Sequence, residues 1–598
     1  MADDEIKQEI LEIEKQIHDL KQKQAVLSNK LKILQTKKDD LQSRYDRERM
    51  INCRNSEDWI TKEFPWSKQI EKILKETFKF DSFRTKQLAA INATLNKKDV
   101  LLLMPTGGGK SLVYQLPAVV TKGMTLVISP LISLIEDQLI ALKRFGIKAD
   151  TINSSSSKEH KKKIHNYMTK QDNELKLLYV TPEWLEKSKQ FMSYLQKCYQ
   201  NGNLDRIAID EVHCCSTWGH DFRKEYQFLG LLKNMFPDVP FMGLTATATM
   251  NILIDVQKML DIKDCAVITA PFNRPNLYYK VIQKPSDKNE ALTILENLLQ
   301  TNYKNQSGII YTTTIKETEE LTEHLRKKGL QVMNYHAQLE PDRKRRIHEK
   351  WLENKYQAVI ATIAFGMGID KPDVRFVIHY SMPKSMEGLY QESGRAGRDG
   401  KKSDCLLMFA LSDYLRILGM ASSKVEEANA LSVLNYCMDN GKCRRSLIAQ
   451  HFEEVWDKEN CNKLCDFCKK NSPLVYYDVA SACKTLHRII TAANEKEGKL
   501  TLLKLVNSWL ATMSQPISKI DAERIIAHLL LKQYLKVDKG YNTYSVILYL
   551  QKNRLPETKI EICLPKSVNL KLFPIRESSS VICIEEDEKP PRKKVKKA

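Results

Sequence analysis

A glycine-rich loop that directly follows a short apolar run constrains the fold of this chain more than any other feature of its sequence. The apolar run is 101–104, and the loop consists of Pro105, Thr106, Gly107, Gly108, Gly109, Lys110 and Ser111. Glycines let backbone N–H groups close around phosphate oxygens, and a helix that starts at the loop adds its positive end. Lys110 would contact the β- and γ-phosphates of a nucleotide, and the Ser111 hydroxyl would bind magnesium. Taken alone, the loop could also be a flexible turn before a helix.

An acidic pair about 100 residues later supplies the second half of a nucleotide site. Asp210 and Glu211 follow the apolar run 207–209. Asp210 is expected to hold magnesium through its water shell, and Glu211 to orient and deprotonate the attacking water. Because the loop and the acidic pair occur together, the sequence favours ATP hydrolysis over the flexible turn.

Strand-like runs alternate with helical stretches in two successive regions, residues 60–275 and residues 276–413. The predicted strands are 101–104, 125–129, 177–180, 206–210 and 241–244, then 308–311, 331–335, 358–362, 375–379 and 405–409. Such alternation predicts an α/β fold with parallel sheets whose strand ends carry the site. The second lobe has no glycine-lysine loop, so only the first is expected to hold the phosphates.

The second lobe nonetheless carries loops that could act on a nucleotide across a cleft. Arg395 and Arg398 lie among small residues in 391–400, an arrangement typical of an arginine finger, which stabilises charge in the transition state. Gly368 and Asp370, in a glycine-rich turn, are expected beside the same cleft. A solvated basic turn is the alternative for the two arginines.

Charge and composition narrow the class of protein. The chain has 598 residues, enough for three to five domains, and its 94 Lys and Arg against 74 Asp and Glu give a net charge of +20, which favours association with polyanions. No apolar run approaches the length of a membrane span, and the first residues do not resemble a signal peptide. Fourteen mostly scattered cysteines favour a reducing compartment. We therefore expect a soluble intracellular enzyme that binds nucleic acid.

The first 50 residues have an apolar repeat with alternating spacings of four and three. One position of this heptad holds Ile6, Ile13, Leu20, Leu27, Leu34 and Leu41, and the other holds Ile10, Ile17, Gln24, Leu31, Lys38 and Tyr45. The pattern predicts a coiled coil in residues 1–50 and a homo-oligomer, with Gln24 and Lys38 fixing register or strand number. A single helix docked on its own protein is the alternative.

In order and spacing, the motifs resemble those of superfamily-two helicases, and specifically the RecQ family, over roughly residues 60–550. The resemblance rests on 83–87, the glycine-rich loop, 210–213, 245–249 and 391–398. It implies two RecA-like lobes and an ATP-dependent 3′-to-5′ DNA helicase that unwinds forked or branched DNA in repair, recombination and replication. It further implies that Arg84 and Gln87 recognise adenine, that Thr245 and Thr247 couple hydrolysis to lobe movement, and that Arg398 is the finger with Arg395 beside it.

A short aromatic segment after the acidic pair resembles the RecQ loop that senses single-stranded DNA. Trp218 and Phe222 could stack on bases, and Arg223 could pair with a phosphate. The alternative is that the two aromatic side chains pack the lobe interface. Lys224 stands where family members often have proline.

Four cysteines predict a structural zinc site within a module spanning residues 414–475. Cys443, Cys461, Cys465 and Cys468 have the spacing C-x17-C-x3-C-x2-C, which suits four thiolates around a tetrahedral metal. Cys437 is a nearby competitor, although the RecQ pattern favours Cys443, and four unliganded thiols are the alternative. Lys442, Arg444 and Arg445 lie beside the first cysteine and could meet a DNA backbone.

Residues 476–553 resemble the RecQ winged-helix domain and end in a predicted hairpin. Its strands are expected at 534–537 and 544–548, with the turn around Lys539 and Gly540. By resemblance, an aromatic residue at the hairpin tip splits the duplex, and Tyr544 matches that position better than Tyr541. Ordinary strand packing is the alternative for both tyrosines.

The last residues, 554–598, are expected to be a disordered basic tail. The cluster 591–597 could be a nuclear import signal, a polyanion patch or a solubilising tail. The tail leaves no room for the extra C-terminal helical module of many RecQ proteins, so the chain resembles the short members of that family. Two functional rivals remain: an RNA-directed or remodelling ATPase, and an oligomeric strand-annealing protein whose ATPase is a switch.

Overall fold

The computed structural model describes residues 2–53, 58–170, 174–216, 222–366, 371–470, 474–496, 498–514, 516–541, 546–556, 558–565 and 574–577. Within these ranges no helix has both the length and the apolar character needed to cross a membrane.

The α-helices are, in chain order, α1 Ala2–Asn52, α2 Asp58–Thr61, α3 Ser67–Glu76, α4 Gln87–Leu95, α5 Lys110–Val120, α6 Ile132–Arg144, α7 Lys158–Thr169, α8 Pro182–Lys187, α9 Lys189–Gln200, α10 Gly230–Met235, α11 Met250–Met259, α12 Lys288–Asn297, α13 Ile315–Lys327, α14 Pro341–Leu352, α15 Met386–Ser393, α16 Leu411–Met420, α17 Lys424–Met438, α18 Arg444–His451, α19 Asp466–Lys470, α20 Ala480–Glu495, α21 Leu502–Ala511 and α22 Lys519–Leu531. The strands are β1 Val100–Leu103, β2 Met124–Ile128, β3 Ala149–Thr151, β4 Leu177–Val180, β5 Leu204–Ile209, β6 Phe241–Thr245, β7 Ala266–Thr269, β8 Leu277–Gln283, β9 Ser307–Tyr311, β10 Val332–Tyr335, β11 Ala358–Ala361, β12 Val374–His379, β13 Ser403–Phe409, β14 Leu474–Asp478, β15 Leu535–Tyr541, β16 Val546–Lys552, β17 Glu561–Pro565 and β18 Pro574–Glu577.

The first lobe is built on a seven-stranded parallel sheet in the order β3-β4-β2-β5-β6-β1-β7. Every residue of β1, β2 and β4 is buried, because helices cover both faces of such a sheet, and this explains their continuous apolar runs. Strand β6 lies between β1 and β5. The glycine-rich loop, the acidic pair and Thr245 therefore emerge side by side at one edge of the sheet.

The second lobe is a six-stranded parallel sheet in the order β10-β11-β9-β12-β13-β8. All the strands predicted for both lobes are present, shifted by two residues at most. Strands β3, β7 and β8 were not predicted. β3 has only three residues, all half-buried, and most of β8 is half-buried too, so neither has the continuous apolar run of a central strand.

The helix α1 projects from the first lobe rather than packing along it. Only its last turns dock, where Asp46 pairs with Lys258 at 2.5 Å and Met50 is fully buried. Among the described residues, the large apolar side chains of the heptad row are 46–71% exposed. They are Ile13, Ile17, Leu20, Leu27, Leu31, Leu34, Leu41 and Tyr45. The alternative, in which the apolar row of a single helix docks on its own protein, is therefore wrong.

The part of the chain predicted to be a disordered tail contributes strands. β17 and β18 pair with the two edges of β14 in an antiparallel sheet. Ile560, Ile562 and Leu564 alternate along the chain and are buried, and this alternation gives the segment a face to pack. A disordered tail beginning at residue 554 is therefore wrong.

The hairpin of the predicted winged helix also differs from the expectation. Lys539 and Gly540 lie inside β15, opposite Leu548 and Ile547 of β16, so a turn at these two residues is wrong. Gly540 is needed in the strand because a Cβ there would lie 2.6 Å from the Tyr549 ring. Residues 542–545, Tyr544 among them, lie outside the described residues.

Candidate active site between the two lobes

The glycine-rich loop wraps the start of α5 in a conformation that only glycine adopts easily. Gly107 and Gly109 have φ angles of +79° and +86°, which strain any residue with a side chain. A Cβ on Gly108 would lie 2.6 Å from the Met104 side chain. The loop therefore keeps its backbone close to the helix N-terminus, as a phosphate-binding turn requires.

The acidic pair lies at the end of β5, next to this loop. Asp210 and Glu211 are both buried, and Glu211 Oε1 is 3.9 Å from Lys110 Nζ. Burial, aided by the charge of Glu211, raises the pKa of Asp210 to about 7. A divalent cation beside this carboxyl would favour its ionised form, so Asp210 and Ser111 fit a magnesium ion.

The backbone of Glu211 is itself unusual. Its φ angle is +49°, a left-handed conformation that costs a residue with a side chain about 1–3 kcal/mol. Tyr226 donates a hydrogen bond to the carbonyl of Asp210 at 3.2 Å and so supports the turn. The residue expected to act as the base is therefore one of the non-glycine residues with a strained backbone.

A buried histidine links the acidic pair to the neighbouring strand end. His213 Nδ1 is 2.8 Å from Thr245 Oγ1 and 3.4 Å from Glu211 Oε2. The backbone N–H of Thr247 donates to the same threonine hydroxyl at 3.1 Å. These contacts connect the acidic pair to the end of β6, and the coupling role of Thr245 and Thr247 stays a prediction.

One cavity of about 500 Å³ brings the predicted residues of both lobes together. Among its lining residues are Arg84, Gln87, Thr106, Gly107, Gly109, Lys110, Ser111, Asp210, Glu211, Arg395 and Arg398. Arg84 donates to the carbonyl of Gly107, and Gln87 Nε2 to that of Gly109 at 3.0 Å. The two residues expected to recognise adenine thus lie directly against the phosphate loop.

Three aromatic residues that the sequence did not single out line this cavity. Phe78, Phe80 and Phe145 line it beside Arg84, and the rings of Phe78 and Phe145 are 5.3 Å apart. Phe80 is 45% exposed, so its ring offers an apolar surface to a flat base. The signal was an aromatic residue shortly before Arg84, which is too common to stand out alone.

The two arginines of the second lobe occupy different positions. Arg398 approaches the phosphate loop, with its Cγ 3.3 Å from the place of a Cβ on Gly107. Arg395 is buried and donates to the carbonyl of Gly366 within its own lobe. Of the two, Arg398 is therefore nearer to where phosphates would bind. Gly368 and Asp370 lie outside the described residues.

A third arginine, which the sequence did not single out, connects both loops. Arg274 lies between the lobes, and its Nη1 donates to the carbonyls of Thr106 at 2.7 Å and Gly394 at 3.1 Å. Its Nη2 donates to the carbonyls of Ala396 and Gly397 at 3.0 and 3.1 Å. One guanidinium thus joins the phosphate loop to the loop that carries the arginines. No local motif marks an arginine whose partners are all backbone carbonyls.

The expectation that Arg444 and Arg445 meet DNA is wrong. Both are buried. Arg444 Nε donates to Asp466 at 2.9 Å, and Arg445 Nη1 donates to the carbonyl of Arg274 at 2.9 Å. Buried guanidinium groups need fixed acceptors, and both groups find them inside the protein instead of on a DNA backbone. Arg445 thereby anchors the interlobe segment to the zinc module.

Four thiols converge beside these arginines. The sulfur atoms of Cys443, Cys461, Cys465 and Cys468 all lie within 4.8 Å of one another. Cys465 Sγ is 3.8 Å from that of Cys443 and 3.7 Å from that of Cys461. A tetrahedron with Zn–S bonds of about 2.3 Å has edges of about 3.8 Å. The four thiols therefore fit zinc, and Cys437 is not part of the cluster.

Comparisons with known proteins agree with this arrangement. Residues 84–254 match the DEAD/DEAH box helicase model, 290–400 the helicase conserved C-terminal domain, and 412–469 the RecQ zinc-binding model. ATP-dependent DNA helicase Q1 of Pongo abelii is 50% identical over 504 residues, which are 82% of this chain and 78% of the relative. The chain belongs to the RecQ family of DNA helicases.

One further relative and one solved structure extend the comparison of this RecQ chain. ATP-dependent DNA helicase Q1 of Rattus norvegicus is 47% identical over 555 residues, 91% of this chain and 88% of the relative. The crystal structure of the DUF1998 helicase MrfA bound to DNA has a TM-score of 0.51 at 15% identity, covering 83% of this chain and 64% of that one. The second likeness concerns the fold alone.

The aromatic loop of this RecQ chain is anchored at its far end. Trp218 lies outside the described residues, and Phe222 is half-buried. Arg223 Nη1 donates to the carbonyl of Pro130 at 3.0 Å and lies 3.6 Å from the Glu183 carboxylate. Arg223 therefore contacts the segments that follow the neighbouring strands β2 and β4, and its pairing with a DNA phosphate stays a prediction.

Proposed function

We propose that the chain uses ATP hydrolysis to translocate 3′-to-5′ along one DNA strand and to separate forked or branched duplexes. The observation that carries this proposal is the single cavity in which Lys110 and the acidic pair of one lobe face Arg398 of the other. The curated relatives, named ATP-dependent DNA helicases, support DNA as the substrate. They do not favour the RNA-directed or annealing alternatives.

Within this cavity each residue has a distinct task. Lys110 and the loop amides bind the phosphates, while Glu211 orients a water and takes its proton as the oxygen attacks the γ-phosphorus. The bond between the γ-phosphorus and the oxygen that bridges it to the β-phosphate breaks, and Arg398 stabilises the charge that develops. Ser111 and Asp210 would hold magnesium, which would neutralise charge on the phosphates. ADP and phosphate leave, and the contact between the lobes is weakened.

Cyclic closing and opening of the lobes would move the chain along a phosphate backbone. A net charge of +20 favours such backbone binding, which carries little sequence information. Binding should therefore weaken steeply with salt and depend little on base sequence. The resemblance assigns the separation of the strands to Tyr544, which lies outside the described residues.

The test is ATP hydrolysis and strand separation on a 3′-tailed DNA fork. We expect Glu211→Gln to lose both activities, and Tyr544→Ala to keep DNA-stimulated hydrolysis but to unwind poorly. A 5′-tailed fork serves as the polarity control. Wild-type protein that hydrolyses ATP on DNA but separates neither fork would contradict the proposal.

We also propose that α1 mediates self-association as a coiled coil. Its 51 residues correspond to a rod of about 75 Å, and its apolar row is exposed to solvent. Burying that row against a second copy would stabilise the assembly by about 25 cal/mol for each Å² of apolar surface removed from water. Gln24 and Lys38 would limit the register.

Sedimentation of the full-length protein tests this assembly. Ile13→Ser with Leu27→Ser should lower the measured mass. Leu11→Ser is the matched control, because Leu11 is 70% exposed but lies off the heptad row. An unchanged mass in the double variant would contradict assembly through α1.

We propose nuclear localisation from the basic cluster 591–597, which lies outside the described residues. A fluorescent fusion with Lys593→Ala and Lys594→Ala should lose nuclear enrichment, whereas Lys15→Ala with Lys21→Ala should keep it. Equal enrichment of both fusions would contradict this role.

A further inference from the structure

The hairpin β15–β16 rests on the corner where α16 turns into α17. Lys539 Nζ on β15 lies 2.6 Å from the Glu427 carboxylate of α17 and donates to the carbonyl of Ala421 at 3.0 Å. The Lys539 side chain is 20% exposed and that of Glu427 41%. Solvent therefore screens the ion pair in part, and the bond to the fixed carbonyl adds direction to it.

The opposite strand touches the same corner. Leu548 of β16 is the direct cross-strand partner of Lys539, so their side chains share one face of the hairpin. Leu548 Cδ1 is 3.8 Å from the place of a Cβ on Gly419. A charged contact and an apolar contact thus hold both strands at one level.

The corner is braced from within. The backbone N–H and the hydroxyl of Ser422 donate to the Glu426 carboxylate at 2.6 and 2.9 Å. Ser423 caps α17 by accepting from the backbone N–H of Glu426 at 3.2 Å. Because these hydrogen bonds hold the turn, the corner and the two helices are expected to move together.

The corner is also continuous with the second lobe. Helix α16 starts directly after β13 of that lobe, and its buried Asp413 lies 3.5 Å from Lys284 Nζ, just beyond β8. Arg416 on α16 pairs with Asp413 at 2.6 Å and Glu317 at 3.5 Å. The position of α16 thus follows that of the second lobe.

We propose that Lys539 and Glu427 form a clamp that fixes the root of the hairpin to the second lobe. Rigid attachment passes movement of that lobe to the hairpin tip. The last described pair of the ladder, Tyr541 and Val546, lies only two residues beyond Lys539, about 7 Å along the strand. Lys539 is then a positioning residue for strand separation, and it takes no part in hydrolysis. This inference rests on the proposed helicase activity.

Charge reversal tests the clamp on the full-length protein. Lys539→Glu and Glu427→Lys should each slow separation of a 3′-tailed fork by roughly three- to tenfold, since each places like charges in contact. DNA-stimulated ATP hydrolysis and the thermal unfolding midpoint should stay within about twofold and about 2 °C of wild type. The variant with both changes restores an opposite pair and should recover much of the lost rate.

Lys536→Glu is the matched control. Lys536 lies on the same strand, is exposed and makes the same charge change without touching the corner. If it slows unwinding as much as Lys539→Glu, general attraction to DNA explains the effect and the clamp is refuted. Failure of the doubly reversed variant to exceed both single variants also refutes it. If wild-type protein fails to unwind, the helicase proposal itself falls.

Discussion

The guanidinium of Arg274 donates to the carbonyl of Thr106 at 2.7 Å, so a residue between the lobes holds the phosphate loop directly. The same side chain reaches three carbonyls of the arginine-bearing loop. Arg445 of the zinc module in turn binds the carbonyl of Arg274. The nucleotide cavity is therefore positioned by three parts of the chain at once.

Replacing Arg274 by lysine should lower kcat/KM for ATP by about tenfold or more, since losing one hydrogen bond to a charged donor costs about 1.5–3 kcal/mol. A lysine has donors on a single nitrogen and does not span carbonyls of both loops. Steady-state hydrolysis on single-stranded DNA measures the effect, with Arg326→Lys on the exposed face of α13 as control. Equal values for both variants would contradict a joining role.

Replacement of Arg398 and replacement of Arg395 should differ in their effect on kcat. Arg398→Ala should reduce kcat by about a thousandfold while ATP affinity changes little, as expected for a group that acts in the transition state. Arg395→Ala should mainly lower the unfolding temperature, because its partner is the buried carbonyl of Gly366. Single-turnover hydrolysis with a nucleotide-binding assay distinguishes them. The reverse order of effects would assign the finger to Arg395.

Removing zinc should destabilise the chain without changing the cavity chemistry directly. Metal analysis should find one zinc per chain, and Cys461→Ser should lose it and unfold at least about 5 °C lower. Cys437→Ser is the matched control, because this cysteine is buried close in sequence but lies outside the cluster. Loss of zinc from the Cys437 variant would show that the ligand set differs.

Acid should weaken the winged helix through His528. Burial lowers the pKa of His528 to about 4, so the folded state binds a proton less readily than the unfolded state. The stability that neutral His528 contributes is therefore fully present above pH 6.5 and is lost as the pH falls towards 4. The loss of folding free energy reaches about 2 kcal/mol at pH 5.

Hydrogen exchange of the α22 amides between pH 7 and pH 5, corrected for intrinsic exchange rates, measures this loss. His528→Gln should remove most of the pH dependence, whereas substitution of the exposed His18 should not. Parallel pH profiles of wild type and the His528 variant would contradict the assignment.

The sequence was most informative where chemistry is local. The strands that carry the loop and the acidic pair were predicted because full burial demands continuous apolar runs, and the four cysteines because a metal demands thiolates at close spacing. Arg274, Arg444 and Arg445 were missed or misassigned because their partners come from distant parts of the chain. Gly540 suggested a turn, and only the Tyr549 ring packed across it explains a glycine within the strand.

Strand β14 connects the zinc module to the winged helix, and β17 and β18 cover its two edges. A protein shortened after the hairpin would leave those edges with unpaired backbone groups, which invite pairing with other chains. Such a truncation would be expected to aggregate even with its catalytic residues intact. The residues beyond the hairpin thus contribute to keeping the molecule in solution.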